Sequence, residues 1–259
     1  MPRFAANLTL LYTELPFLDR FDAAARGGFE AVEFQFPYAH DAQAVAARAR
    51  AAGVRVVLHN LPAGDWDAGE RGIACLTDRV DAFRDGVAQA IAYAGALGVT
   101  QVNCLAGIVP DGADVDEAWR TLRDNLRWAA PRLAANGMRL LVEPVNGYDT
   151  PRFLLQRSAQ AVALLDAVAE PNVFLQYDIY HMQRMEGELA STIGKLLPRI
   201  AHMQLADNPG RHEPGTGEIN FAFLLAHIDR LGYAGWIGCE YHPLSTTAAG
   251  LGWLRGSGR

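Results

Sequence analysis

The sequence is poor in the features that would take a chain to nucleic acid, to a membrane or into an oxidising compartment. Its 23 lysines and arginines are outnumbered by 29 acidic residues, for a formal net charge of −6 over 259 residues. A polyanion-binding surface needs a basic excess or stripe, so the balance argues against nucleic acid and anionic membranes as partners. A small anionic substrate stays compatible, because one metal ion or arginine reverses the field inside a cleft. No apolar run approaches the roughly 20 residues that span a bilayer. The opening Met1-Pro-Arg-Phe-Ala-Ala-Asn7 lacks a basic region followed by an apolar stretch, so no signal peptide is expected. Cysteine is scarce: Cys75, Cys104 and Cys239 stand apart with no CxxC pair, which suits reduced, core-filling thiols in a cytoplasmic protein. No GxGxxG follows the first strand, no phosphate loop occurs, and no linker-like or low-complexity stretch marks a second domain.

What is present is alternation. Short apolar segments recur along the chain: Phe4–Leu8, Ala31–Phe36, Val54–His59, Val102–Leu105, Leu140–Glu143, Val173–Asp178, Ile200–Gln204 and Trp236–Glu240. Runs such as Val54-Arg-Val-Val-Leu58 suit parallel strands buried on both faces. Amphipathic helices lie between them. Val80, Phe83, Val87, Ile91, Ala94 and Leu97 fall at helical spacing, as do Trp119, Leu122, Leu126, Ala129 and Leu133. Asp114 with Glu117 predicts a capping box, and glycines such as Gly53 and Gly98 predict left-handed helix ends. Eight strand–helix units in one chain of this length predict a single (β/α)₈ TIM barrel spanning residues 1–259, with chemistry at the carboxyl ends of the strands. The long loops at 60–77 and 206–218 both follow strands and would lie on that face. After Glu240 only 19 residues remain, so the eighth helix is expected to be short.

Four consecutive strands end in an oxygen donor: Glu143, Asp178, Gln204 and Glu240, at separations of 35, 26 and 36 residues. Each separation is about one βα unit, so a barrel brings the four to one half of its rim. Three converging carboxylates repel one another unless a cation neutralises them. An all-oxygen set with one neutral amide suits one hard divalent ion, Mg²⁺ or Mn²⁺. His181, three residues past Asp178, is a candidate to hydrogen-bond a substrate oxygen, and His59 at the end of strand 3 is another. Arg211 offers a guanidinium fork to a substrate carboxylate. Glu70 and Arg71 are candidates to close the strand-3 loop over the site, or to pair with each other. No role is assigned to His202, and the remaining histidines are expected at the surface or in support.

The segments LHNLPAGDWDAGERGIAC (58–75), QYDIYHMQRMEGE (176–188), ADNPGRHEPGTGEIN (206–220) and WIGCEY (236–241) resemble the hydroxypyruvate isomerase family, and the likeness spans nearly the whole chain. The wider group, similar to xylose isomerases and ketose 3-epimerases, shares the barrel, the metal ligands and paired glutamates. The resemblance implies Glu143, Asp178, Gln204 and Glu240 as ligands, with Glu143 and Glu240 moving protons. In that chemistry a proton leaves C3 of hydroxypyruvate and another arrives at C2, through a cis-enediolate whose charge a divalent ion stabilises. The expected partner is a small hydroxycarbonyl acid. A related substrate, such as 2-oxo-tetronate or a free ketose, is the alternative. An abasic-site endonuclease would need a histidine-rich multi-zinc cluster and a basic face, and a silent binding module would not need both glutamates. The sequence leaves homo-oligomerisation open.

Overall fold

The computed structural model of the chain describes residues 2–256. Its strands are β1 (Arg3–Asn7), β2 (Ala31–Glu33), β3 (Arg55–Asn60), β4 (Gln101–Cys104), β5 (Arg139–Val142), β6 (Val173–Asp178), β7 (Ile200–Leu205) and β8 (Trp236–Cys239). Each pairs in parallel with the next, and β8 pairs with β1, so the sheet closes as the alternating pattern predicts. The helices are α1 (Arg20–Arg26), α2 (Ala42–Ala52), α3 (Val80–Leu97), α4 (Val115–Ala134), α5 (Ser158–Val168), α6 (Ile179–Met185), α7 (Leu189–Leu196), α8 (Phe221–Arg230), α9 (Thr247–Gly250) and α10 (Gly252–Gly256). The element after β8 is the broken α9–α10 pair, in keeping with the short helix expected there.

Local chemistry fixes the helix ends. The Asp114 carboxylate accepts the amides of Asp116 and Glu117 at 2.8 and 3.3 Å, capping α4. Gly53 and Gly98 end α2 and α3 with φ of 71° and 69°, a conformation that costs a side-chain-bearing residue free energy. Along α4, Leu122, Leu126 and Leu133 are fully buried, each contributing about 1.5–3 kcal/mol of apolar burial. The one strand that ends well short of its expected limit is β2, which stops at Glu33 and not at Phe36. The register against β3 shifts between Val32 and Glu33. Phe34 then turns to pack edge-on against Phe17 and Phe21.

Inside the barrel the side chains change character from end to end. Toward the amino-terminal end lie Ala5, Ala31 and Val57 with Trp236, and Leu58, Leu141 and Ala201 with Phe174. Above them the interior is polar: Asn7, Glu33, Asn60, Asn103, Gln176, Asp178, His202 and Gln204 are all buried. Gly238 on β8 makes room for this layer. A Cβ there would meet the Glu33 carboxylate oxygens at 2.2 and 2.3 Å, so the bare backbone lets Glu33 lie across the barrel.

Candidate active site

The carboxyl ends of the strands surround a cavity of about 190 Å³ whose walls include Glu143, Glu240, His181, Arg211 and Arg71. Strand alternation aims these groups. Asp178 and Gln204 are register partners on β6 and β7, and so point the same way. Glu143 and Glu240 are the residues immediately after β5 and β8.

Each carboxylate has a distinct set of partners. Glu143 accepts from Asn103 Nδ2 at 2.7 Å. Glu240 accepts from Arg211 at 2.7 Å, from Asn7 at 3.0 Å, from Gln35 at 3.2 Å and from Gln204. Asp178 caps α6 through Oδ1, which takes the amides of Tyr180 and His181 at 2.7 and 3.3 Å. Its Oδ2 is buried with no hydrogen-bond partner in the protein. An acceptor left in that state is costly unless something positive meets it. Burial, reinforced by the neighbouring Glu240 and Asp178 charges, pushes the Glu143 carboxyl well above the usual carboxylate range. Burial raises Glu240 to about 8, against the opposing pull of Arg211, and raises Asp178 as well.

Ligand atoms of Glu143, Asp178 and His181 lie within 4.8 Å of one another, a spacing that could hold a metal ion. The tautomer of His181 limits its part. Asn146 Nδ2 donates to His181 Nδ1 at 2.7 Å. The Asn146 amide cannot turn round cheaply, because its Oδ1 accepts the backbone amides of Tyr148 and Asp149 at 3.1 and 2.8 Å. The imidazole proton therefore sits on Nε2, which faces Asp178 Oδ2 at 3.6 Å and Glu143 Oε1 at 4.0 Å. Burial, together with Arg211 and Arg184, holds His181 neutral, well below the ordinary histidine range. It is placed as a hydrogen-bond donor at the edge of the carboxylates.

Gln204 reaches the carboxylates with its other end. Its Nε2 donates to Glu33 at 2.8 Å and to Glu240, while its Oε1 accepts from Gln176 at 2.6 Å. With carboxylates on that side, an N–H relieves charge and an oxygen would add to the repulsion. The amide oxygen expected to join the ligand set is thus turned away from the carboxylates.

Arg211 is carried by the loop between β7 and α8, which Asp207 organises by accepting the amides of Asn208, Gly215, Gly217 and Ile219. Besides its bond to Glu240, Arg211 lies 3.9 Å from Asp178 Oδ2 and over the Tyr180 ring. Its Nε is buried with no hydrogen-bond partner. Arg71 lines the cavity with its guanidinium 3.9 Å from the Trp66 ring centroid. Glu70 does not join it there: its carboxylate pairs with Arg79 and takes the Asp65 amide, so the alternative in which Glu70 and Arg71 pair with each other is not the arrangement adopted.

His59 is placed away from the cavity. On β3 it pairs in register with the outward-facing Val102, whereas Asn60 pairs with Asn103, which points in to Glu143. His59 packs between the rings of Tyr38 and Tyr93, with Tyr38 Oη 3.2 Å from its Nδ1. The residues missed by the sequence reading close the network. Glu33 accepts from Asn7 at 2.9 Å and from His202 Nε2 at 2.6 Å, and Gln101 meets His202 Nδ1 at 3.3 Å. Asn7, Glu33 and Asn60 are themselves strand ends, so the rule that picked out strands 5 to 8 would have found them on strands 1 to 3.

Similarities to known proteins agree with this architecture. A family model described as a xylose isomerase-like TIM barrel matches residues 21–257. The chain is 51% identical to the hydroxypyruvate isomerase of Escherichia coli (strain K12) over 254 residues, 98% of each chain. It is 46% identical to the 2-oxo-tetronate isomerase of Cupriavidus necator over 255 residues, again 98% of each. A solved structure described as an AP endonuclease, family 2, from Brucella melitensis aligns with a TM-score of 0.96 at 43% identity, covering 99% of both chains.

Proposed function

The chain belongs to the xylose isomerase-like TIM-barrel family, and from that premise we propose that it is an isomerase interconverting hydroxypyruvate and tartronate semialdehyde (2-hydroxy-3-oxopropanoate). The observation that carries the reading is the pair Glu143 and Glu240 on the walls of one small cavity, with Arg211 paired to Glu240 and 3.9 Å from Asp178. The reaction removes a proton from C3, delivers one to C2, and passes the hydroxyl proton from the C3 oxygen to the C2 oxygen. One glutamate acts as base and the other as acid. Burial that raises their proton affinity suits both to hold the proton they exchange.

Glu143, Asp178 and Glu240 would hold one divalent ion, Mg²⁺ or Mn²⁺, and Gln204 would join as the neutral member once its amide turns its oxygen, now bonded to Gln176, toward the carboxylates. The fit rests on the unpartnered Asp178 Oδ2 and on the carboxylates' mutual repulsion. Bound there, the ion would supply electrophilic stabilisation of the charge developing on the enediolate oxygens. His181 donates its Nε2 proton toward a substrate oxygen. Arg211, on the cavity wall, binds the substrate carboxylate through its guanidinium. Among the described residues the group with metal-site spacing contains a single histidine, unlike the histidine-rich cluster of a multi-zinc endonuclease.

The 46% identity to a 2-oxo-tetronate isomerase supports a second substrate of the same chemistry, one carbon longer. The test is turnover of the Mg²⁺- or Mn²⁺-loaded protein on hydroxypyruvate, 2-oxo-tetronate and ketohexoses, run also in D₂O. Preference for hydroxypyruvate with deuterium at C2 of the product is the expected result. Preference for 2-oxo-tetronate would transfer the mechanism to that substrate. Turnover that keeps all the original hydrogen at C2 would exclude the glutamate pair.

A further inference from the structure

The opposite end of the barrel opens into a larger cavity, about 610 Å³, whose walls include Arg3, Arg55, Arg139, Thr100, Tyr233 and Trp236 and no acidic residue. The three arginines begin β1, β3 and β5. Register places them all on the inward face. Arg55 pairs with Ala31 and Arg139 with Gln101, both interior residues, while Arg3 lies two positions before interior Ala5. Among the described residues, no carboxylate comes within ion-pair distance of any of the three, in a protein whose acidic residues are in excess.

The guanidiniums are held by something other than counter-charge. Arg3 lies 4.7 Å from the Trp236 ring centroid and donates to the Ala234 carbonyl, and Arg139 lies 5.3 Å from the Phe174 centroid. Stacking on an aromatic face leaves the N–H edge of a guanidinium directed into the open space. The Tyr233 hydroxyl is already committed to the Trp236 carbonyl at 3.0 Å, so the charged donors on the cavity walls are those of the arginines. Three like charges gathered without a counter-ion repel, and an anion relieves the repulsion. Because the arginines come from three alternate strands, they approach one ligand from different sides. Tetrahedral phosphoryl groups present oxygens in those several directions, and a planar carboxylate does not.

We propose that this amino-terminal cavity is a second binding site, for a small anion carrying two phosphoryl groups held by Arg3, Arg55 and Arg139. The test uses the full chain, with pyrophosphate as the probe and citrate as a carboxylate of comparable charge. Binding is read by calorimetry and by the fluorescence of Trp236, assigned with Trp236→Phe. Chelation of a metal at the far mouth by either probe is common to all variants and subtracts. The wild type should bind pyrophosphate more tightly than citrate, and added salt should weaken that binding. Arg55→Ala combined with Arg139→Ala should lose about tenfold or more in affinity, and the paired lysine variants should keep part of it. Pyrophosphate binding that the double variant leaves unchanged, or none below about 10 mM, overturns the site. Citrate binding as tightly as pyrophosphate overturns the phosphoryl assignment.

Discussion

The two mouths of this barrel are walled by opposite charges and deal with crowding in different ways. At the carboxyl-terminal mouth Glu143, Asp178 and Glu240 converge in a small, buried space. At the amino-terminal mouth Arg3, Arg55 and Arg139 face a wider opening and stay exposed. A carboxylate can answer burial by taking up a proton, and burial raises the proton affinity of both Glu143 and Glu240. An arginine cannot shed its proton at any ordinary pH, so its crowding is eased by solvent and aromatic faces. The mouth that can titrate is therefore the one able to move protons, and the mouth that cannot is suited only to binding.

The sharpest way to break this contrast is to remove titration from the acidic mouth while keeping its shape. Glu143→Gln and Glu240→Gln retain an oxygen but cannot accept a proton. Each should lower kcat by about 10²–10⁴, with little loss of fold by circular dichroism. Either variant turning over near the wild-type rate would remove that residue from the acid–base pair.

A smaller effect is expected from the cation that pairs with Glu240 in the acidic mouth. Arg211→Ala should raise KM for hydroxypyruvate by about 10- to 100-fold, the range of a lost charge-assisted fork, and Arg211→Lys by less. Unchanged kinetics in the alanine variant would leave the substrate carboxylate to Arg71.

Smaller still is a stability effect that only the acidic mouth can produce. Glu240 is raised by burial to about 8, from an ordinary value of 4.5. Folding then favours the protonated form, so this contribution is present below pH 4.5 and is lost as pH rises toward 8. In chelator-treated protein the Tm should fall across that window. The Tm gain on adding Mg²⁺ should be greater at pH 8 than at pH 5.5, and Glu240→Gln should flatten both trends. A gain independent of pH would mean that the ion does not meet these carboxylates.

The barrel was legible because its signals are local and repeated: apolar runs, helical spacing and end-of-helix glycines recur in each unit. The positions of Glu143, Asp178, Gln204 and Glu240 at strand ends were legible for the same reason. What those side chains bind was not. The outward turn of the Gln204 oxygen depends on Gln176 and Glu33, which come from other strands, and the His181 tautomer depends on Asn146, 35 residues away. The pairing of Glu70 with Arg79 needed the loop conformation. Glu33 was overlooked because its strand was expected to run on to Phe36, which hid its place at the strand end.

The smallest expected effect on turnover belongs to His59, where strand alternation decides between two neighbours. Asn60 points into the barrel mouth, and His59 points out toward α3, between Tyr38 and Tyr93. The imidazole is not itself part of the cavity wall, so His59→Phe should leave kcat/KM within about twofold, like other substitutions away from a reacting centre. Its effect should lie in the acid limb of stability. Burial lowers the His59 pKa from 6.5 to about 4, so the folded protein disfavours a proton that the unfolded chain accepts. Stability from this residue is present above pH 6.5 and is lost as pH falls through the window toward 4. One proton corresponds to a slope of about 1.4 kcal/mol per pH unit, and His59→Phe should remove up to that much from the wild-type slope in denaturant titrations. A large drop in kcat/KM with an unaltered pH slope would place the imidazole at the substrate after all, and would mean that β3 presents the opposite face to the barrel.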